Sequence, residues 1–423
     1  MKKLILSILI ILLCLSACTL IACNGGDDTT TTNGDNVTTL PSYEYNITYE
    51  LNGGTNNAEN PTGYNTGDII TLGFPTKEDY MFAGWYTDSA LTNEIKEINN
   101  KEENLTLYAK WAPYDDMFRF TEKDGYYSVR IAPKYSVDTV IIPTEYNSLP
   151  VTEIISTLET HQELFKKVFI SHSIMTIHRS AFSSWAGTFE KSNNLEYVEV
   201  DKNNLHFKSI DGVLYSKDGK TIIKYPPCKI GESFDIPEEV VVIGDFAFSD
   251  VVNLKNITIP DGVKTIGEGA FYKGASLKAV SIPNGIIRIE HSTFLRCISL
   301  ESINIPDSVE FIGSHAFSFC SSLSNITIPG SVKYIGTWAF NNCTGLESIK
   351  ICDGVTTIDI GAFNECTSIE SVFIPQSVTE LHGSAFQDCP QLTVYCEAEK
   401  MPAGWQDFME KNVKEIVWGY KES

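Results

Sequence analysis

The chain has 423 residues, with 32 Lys plus Arg against 54 Asp plus Glu, a formal net charge of −22. That length allows two or three domains. So acidic a chain argues against nucleic acid, whose phosphates need basic partners, and against adsorption to anionic membrane surfaces.

Met1-Lys2-Lys3 precedes a mostly apolar run from Leu4 to Leu15. This is a charged n-region followed by a secretory h-region. It is shorter than the roughly 20 apolar residues of a membrane-spanning helix. Leu15-Ser16-Ala17-Cys18 and Leu20-Ile21-Ala22-Cys23 follow. Both resemble the bacterial lipoprotein signal, in which the cysteine becomes the lipidated first residue. Residues 1–22 are therefore expected to be a lipoprotein signal peptide with Cys23 lipidated, since the chain turns polar just after it; Cys18 is the alternative. The resemblance places the protein on the extracellular face of a bacterial membrane, held by its lipid. Residues 23–42 are rich in Thr, Asn, Asp and Gly. Such a segment cannot bury apolar area and reads as a disordered tether.

Residues 43–112 differ in texture. Tyr45 to Leu51 and Leu105 to Trp111 alternate apolar and polar residues, the period of a strand. Tyr49-Glu50-Leu51-Asn52-Gly53-Gly54, Phe82-Ala83-Gly84-Trp85-Tyr86 and the closing Leu105–Trp111 run closely resemble the Listeria/Bacteroides (internalin-type B) repeat. That resemblance implies a β-grasp-like module used as a spacer or weak binder. Trp85 and Trp111 read either as core, the commoner case in so small a domain, or as a carbohydrate platform.

Beyond residue 114 the chain is periodic. Phe248, Phe271, Phe294, Phe317, Phe340, Phe363 and Phe386 stand 23 residues apart. Pro237, Pro260, Pro283, Pro306, Pro329 and Pro375 keep the same step, and Cys352 fills the one gap. A fixed period of this length marks a solenoid, in which neighbouring units stack their apolar columns into one core. The Leu-x-x-Ile-x-Ile-Pro element alternates, as in Leu254, Ile257 and Ile259, and predicts a short strand ended by Pro. Gly244, Gly267, Gly313 and Gly336 suit a tight turn with positive φ, although Glu290, Asp359 and His382 share their column. The Ala-Phe-x-x-Cys stretch predicts one helical or 3₁₀ turn.

These elements resemble the BspA-like (Treponema pallidum-type) leucine-rich repeats, whose unit carries Ile-Pro, Ile-Gly and Ala-Phe-x-x-Cys. The expected fold is mainly β with short helical turns: a right-handed leucine-rich-repeat solenoid over residues 114–423, preceded by the small β-grasp-like domain. The resemblance also implies parallel strands on a concave face and surface display. Within the solenoid, 114–150 is expected to be an N-cap with a hairpin around Asp124-Gly125. Residues 200–234 are expected to insert a hairpin turning at Asp218-Gly219, 236–392 to carry regular repeats, and 393–423 to form a C-cap packed by Trp405 and Trp418.

Eleven cysteines in a secreted chain ordinarily signal disulfides. Cys297, Cys320, Cys343, Cys366 and Cys389 instead share one repeat column. Parallel side chains roughly 4.7–4.9 Å apart do not converge as a disulfide or a tetrahedral metal site requires, so they read as small core residues. There is no His-Glu-x-x-His, Gly-x-Ser-x-Gly or phosphate-binding glycine loop, and the seven histidines are scattered. No enzyme, cofactor or metal site is expected.

The outward positions of the strands are the candidate ligand site. They are Asn256 and Thr258, Ala279 and Ser281, Ser302 and Asn304, Asn325 and Thr327, Ser348 and Lys350, and Ser371 and Phe373. Stacked coils align them into two ladders spanning roughly 25 Å. Small polar side chains are also what a solvated strand tolerates, and Phe373, the one exposed aromatic anchor, lies within reach of the C-cap. The expected function is non-catalytic binding of an extracellular protein or glycan, as in adhesion to host or neighbouring cells. A structural, self-assembling surface component is the alternative.

Overall fold

A lone 23-residue unit cannot bury its own Val, Ile, Leu and Phe columns, so each coil must lie against the next. The computed structural model shows how, and describes residues 42–157, 164–179, 181–182, 194–405 and 413–421. The signal peptide, most of the tether, Cys18 and Cys23 lie outside the described residues. Glu44–Ser423 forms one compact unit.

Three parallel ladders join the coils. The first is built from the Ile-x-Ile strands: Ser233–Asp235, Asn256–Thr258, Ala279–Ser281 and Ser302–Asn304 form one sheet. Asn325–Ile328, Ser348–Ile351, Ser371–Ile374, Cys389–Cys396 and Val413–Trp418 form another. The second ladder uses two-residue strands, from Val242–Ile243 and Thr265–Ile266 through Glu380–Leu381. The third is made by the Ala-Phe segments, where the Phe294 N–H donates to Ala316 O and the Phe317 N–H to Ala339 O, both at 2.7 Å.

This third ladder replaces the expected helical turn with a chain of tight turns. Bonds from residue i to i−3 alternate with bonds to the next coil. His315 and Phe319, and their equivalents one coil away, Ser292 and Arg296, hold positive φ. A left-handed residue every fourth position stops a helix from propagating. The Gly column has a different cause from the one expected. Gly244, Gly267, Gly313 and Gly336 do not hold positive φ. A Cβ at Gly313 would lie 2.7 Å from the Glu290 carbonyl carbon, and one at Gly336 2.8 Å from that of Gly313, so the glycines permit close approach of coils.

The core is continuous along the array. Tyr225 and the seven periodic phenylalanines stack, with centroids 4.9 Å (Phe317–Phe340) to 5.4 Å (Phe248–Phe271) apart. Such pairs contribute about 0.5–1.5 kcal/mol each beyond area burial. At the start of the stack Lys224 takes the buried Ala column. Its Nζ donates to Phe246 O and Ser249 O, both at 3.1 Å, and to Ser249 Oγ at 2.8 Å. Burial pulls its pKa down to about 8. Lys224 belongs to the insert, whose strands Phe207–Ile210, Val213–Ser216 and Thr221–Lys224 run antiparallel, the last becoming the first rung of the second ladder.

At the C-terminal end Trp405 is buried, its Nε1 donating to Val378 O at 3.0 Å, with the Trp418 ring 5.6 Å away. At the N-terminal end the strands Phe118–Lys123 and Tyr126–Ile131 form a hairpin, and Tyr126–Ile131 pairs in parallel with Leu149–Thr157. Just before it lies Tyr114–Met117, a four-residue helix.

The small module is a mixed sheet. Tyr45–Glu50 pairs in parallel with Leu105–Pro113, which also pairs antiparallel with Tyr80–Tyr86. Trp85 is buried in the module's core, and Trp111 packs half-buried against it, its Nε1 donating to Leu51 O at 2.9 Å. The module is docked on the first coils. Its Met81 and Ala112 join the core of Val140 and Val168. Phe74 meets Phe169 edge-to-face at 5.2 Å. Two ion pairs also span the junction, Lys202–Glu59 at 2.9 Å and Lys96–Asp138 at 3.0 Å, but each has a lysine more than half exposed and contributes little, so docking rests mainly on apolar contact.

Candidate binding face

Alternation along the first-ladder strands sends one residue in and the next out. Ile257, Ile326 and Ile349 point into the core. Asn256, Thr258, Ser281, Ser302, Asn304, Asn325, Thr327, Ser348, Lys350 and Ser371 are all exposed. Register aligns them: Ser281 lies opposite Asn304, Asn325 opposite Ser348, Thr327 opposite Lys350, and Ser348 opposite Ser371. The two sheets divide the set between Asn304 and Asn325. Asn256 to Asn304 lie on one, and Asn325 to Phe373 on the other.

Phe373 is half-buried, unlike its neighbours. It stands opposite Lys350 on one side and Tyr395 on the other. Tyr420 closes over both rings, at 6.1 Å from Phe373 and 4.6 Å from Tyr395. The polar ladder therefore ends in three aromatic rings with a lysine beside them. Tyr395 and Tyr420 lie beyond the regular repeats, where no period flags them.

A second aromatic group sits on the second ladder. The Arg288 guanidinium lies 3.9 Å over Phe311, and Phe311 stacks on Tyr334 at 5.0 Å and 8°. The Tyr334 hydroxyl donates to Asp359, which also accepts from Thr337 Oγ1 at 2.9 Å. Burial first, then that carboxylate, push the Tyr334 pKa up to about 12. Arg288 and Tyr334 cover the two faces of Phe311. This column escaped sequence reasoning because its positions hold Arg, Phe and Tyr in turn.

The cysteine column is buried, and each thiol has a partner. Cys297, Cys320, Cys343, Cys366 and Cys389 donate from Sγ to the carbonyls of Phe271, Phe294, Phe317, Phe340 and Phe363, at 3.1–3.2 Å. Burial pushes the Cys297 and Cys389 thiols up to about 12, too high to form a reactive thiolate. Cys297, Cys320, Cys343, Cys352, Cys366, Cys389 and Cys396 form no disulfide. Among the described residues no group of three or more His, Cys, Asp or Glu could hold a metal ion, and no helix is long and apolar enough to cross a membrane.

Known proteins share these features. Residues 225–294 and 264–393 match the BspA type leucine rich repeat region, in six copies, and residues 45–110 match the Listeria-Bacteroides repeat domain. A solved leucine-rich repeat protein from Eubacterium ventriosum is 26% identical with a TM-score of 0.52, covering 63% of this chain and 67% of that one. A putative Gly-rich membrane protein of Evansella cellulosilytica is 33% identical over 103 residues, 24% of this chain and 12% of the relative. A putative membrane protein of the same organism is 39% identical over 70 residues, 16% of this chain and 10% of the relative. The chain thus spans about a tenth of the length of these curated relatives.

Proposed function

We propose that this chain, which carries BspA-type leucine-rich repeats behind a Listeria-Bacteroides repeat domain, is a bacterial surface protein that binds an extended extracellular protein or glycan. Attachment is through a lipid on Cys23, or on Cys18, and the role is adhesion without catalysis. The observation that carries the reading is the in-register exposed ladder from Asn325 to Ser371 ending on Phe373, Tyr395 and Tyr420. Small hydroxyl and amide groups offer repeated donors and acceptors to a chain laid along the face, and a half-exposed aromatic group beside Lys350 supplies an anchor.

Binding of the full chain to a glycan and matrix-protein array tests this, alongside Phe373→Ala and Thr327→Lys. Loss of the bound signal in both variants is expected. Unchanged binding by both removes the face from the function. Metabolic labelling with a fatty acid, compared between Cys23→Ala and Cys18→Ala, reads the anchor.

A further inference from the structure

The docked module leaves a cavity of about 160 Å³ against the first three coils. Its wall from the module includes Phe74, Phe82 and Trp85, and its wall from the coils includes Phe169 and Lys167, with Glu199 beside them. Lys167 and Phe169 belong to the strand Lys167–Ile170, which pairs with Tyr197–Val200 and sets Phe169 opposite Glu199. Lys96 and Asp138, paired at 3.0 Å, also line it. The Trp85 indole is buried, and its Nε1–H meets no acceptor in the protein.

We propose that this junction is a second binding site, distinct from the polar ladder, and that it takes one large apolar side chain of a peptide together with its backbone amide. Size sets the first limit. Drug-sized ligands occupy roughly 300–1,000 Å³, so this cavity holds a group the size of one side chain. Chemistry sets the second. Phe74 meets both Phe82 (5.8 Å) and Phe169 (5.2 Å), so one part of the wall is aromatic and suits a Phe, Leu or Met side chain, while Glu94, Lys96, Asp138, Lys167 and Glu199 make the rest polar. Lys167 and Glu199 put one cation and one anion at the same wall, matching the carbonyl and N–H of a peptide unit.

The test uses the full chain and three probes: N-acetyl-phenylalanine amide, N-acetyl-glycine amide and methyl glucoside. The Trp85 Nε1–H resonance, assigned by its loss in Trp85→Phe, is followed during titration. The expected result is a saturable shift with the phenylalanine amide alone. Ala83→Phe and Thr139→Phe each fill the cavity from a different wall, and each is expected to weaken binding about ten-fold or more, the worth of one buried side chain. A melting curve identifies a filled variant that has lost its fold, and the other variant then decides. Thr327→Lys is expected to leave this titration unchanged, which separates the site from the ladder. No shift with the phenylalanine amide, an equal shift with methyl glucoside, or undiminished binding in a folded filled variant overturns the proposal.

Discussion

The Trp338 indole lies over Gly361, one coil further on: a Cβ at Gly361 would sit 2.8 Å from Trp338 Cε3. Phe246 and Gly269 repeat the relationship in the same column, where a Cβ at Gly269 would run into the Phe246 ring. Gly361 and Gly269 also hold φ +58 and +57. The Phe246 and Trp338 rings therefore each occupy the space that a side chain of the next coil would need. Gly361→Ala is expected to destabilise by about 2–4 kcal/mol, from left-handed strain and overpacking together. With Trp338→Ala in the same chain, the two costs should sum to less than their separate values. Denaturant melts of the double-mutant cycle measure the coupling, and full additivity refutes the contact.

The buried thiols make the fold sensitive to alkali. Cys297, Cys389 and Cys396 are raised from 9.0 to about 12 by burial. A raised thiol contributes stability that is complete below pH 9 and is lost as pH climbs toward 12. Each removes about 1.4 kcal/mol per pH unit across that window, so three approach about 4 kcal/mol per unit. Lys224 works the other way: its pKa falls from 10.5 to about 8, so stability rises from pH 8 to 10.5. One amine offsets one thiol only. Urea melts from pH 8 to 11 should show a falling midpoint above pH 9, with a shallower fall in Cys297→Ala. A flat profile contradicts the burial assigned to these groups.

A polar ladder runs beside the phenylalanine stack. Asn364 Nδ2 donates to Asn341 Oδ1 at 2.8 Å, and Asn341 Nδ2 donates to Ser318 Oγ at 3.3 Å. Asn341→Leu takes an acceptor from a buried amide and is expected to cost about 1–3 kcal/mol. Adding Asn364→Leu should recover some of that loss, because both partners are then apolar. Thermal unfolding of the single and double variants decides it.

The docked module should protect the coils it covers. Phe169→Ser removes the contact with Phe74 and is expected to cost about 2 kcal/mol. Amide hydrogen exchange should then quicken in residues 45–113 while the coils from Phe248 to Phe386 stay protected. Uniform quickening along the whole chain instead indicates that the module is no separate cooperative element.

The period carried the fold because a stacked coil needs the same residue at the same depth. Ile, Leu, Phe and Cys recur, and their columns are buried as the spacing implies. The left-handed column was illegible for the opposite reason. Phe246, Gly269, Ser292, His315, Trp338 and Gly361 share a backbone conformation and no residue type, because bonds to the next coil impose it. The glycines of the Ile-Gly pairs were visible, but their cause was steric approach and not positive φ. The exposed ladder and Phe373 at its end followed from alternation, whereas the two tyrosines beside Phe373 did not. Tyr395 and Tyr420 reach Phe373 through a cap that obeys no repeat. Docking of the small module depends on Phe74 meeting Phe169, a pairing between distant segments that neither segment announces.

The parallel pairing of Tyr45–Glu50 with Leu105–Pro113 has a mechanical consequence. The chain enters the module at the first strand and leaves toward the solenoid from the end of the second, and Ile47, Thr48, Tyr49 and Glu50 face Leu105, Thr106, Leu107 and Tyr108. A pull between the N-terminal side of Tyr45 and the C-terminal side of Pro113 therefore slides the strands lengthwise. All the rungs share the load at once, where an antiparallel hairpin pulled from its two open ends would unzip rung by rung. Tension along the chain is met by a clasp before it reaches the coils.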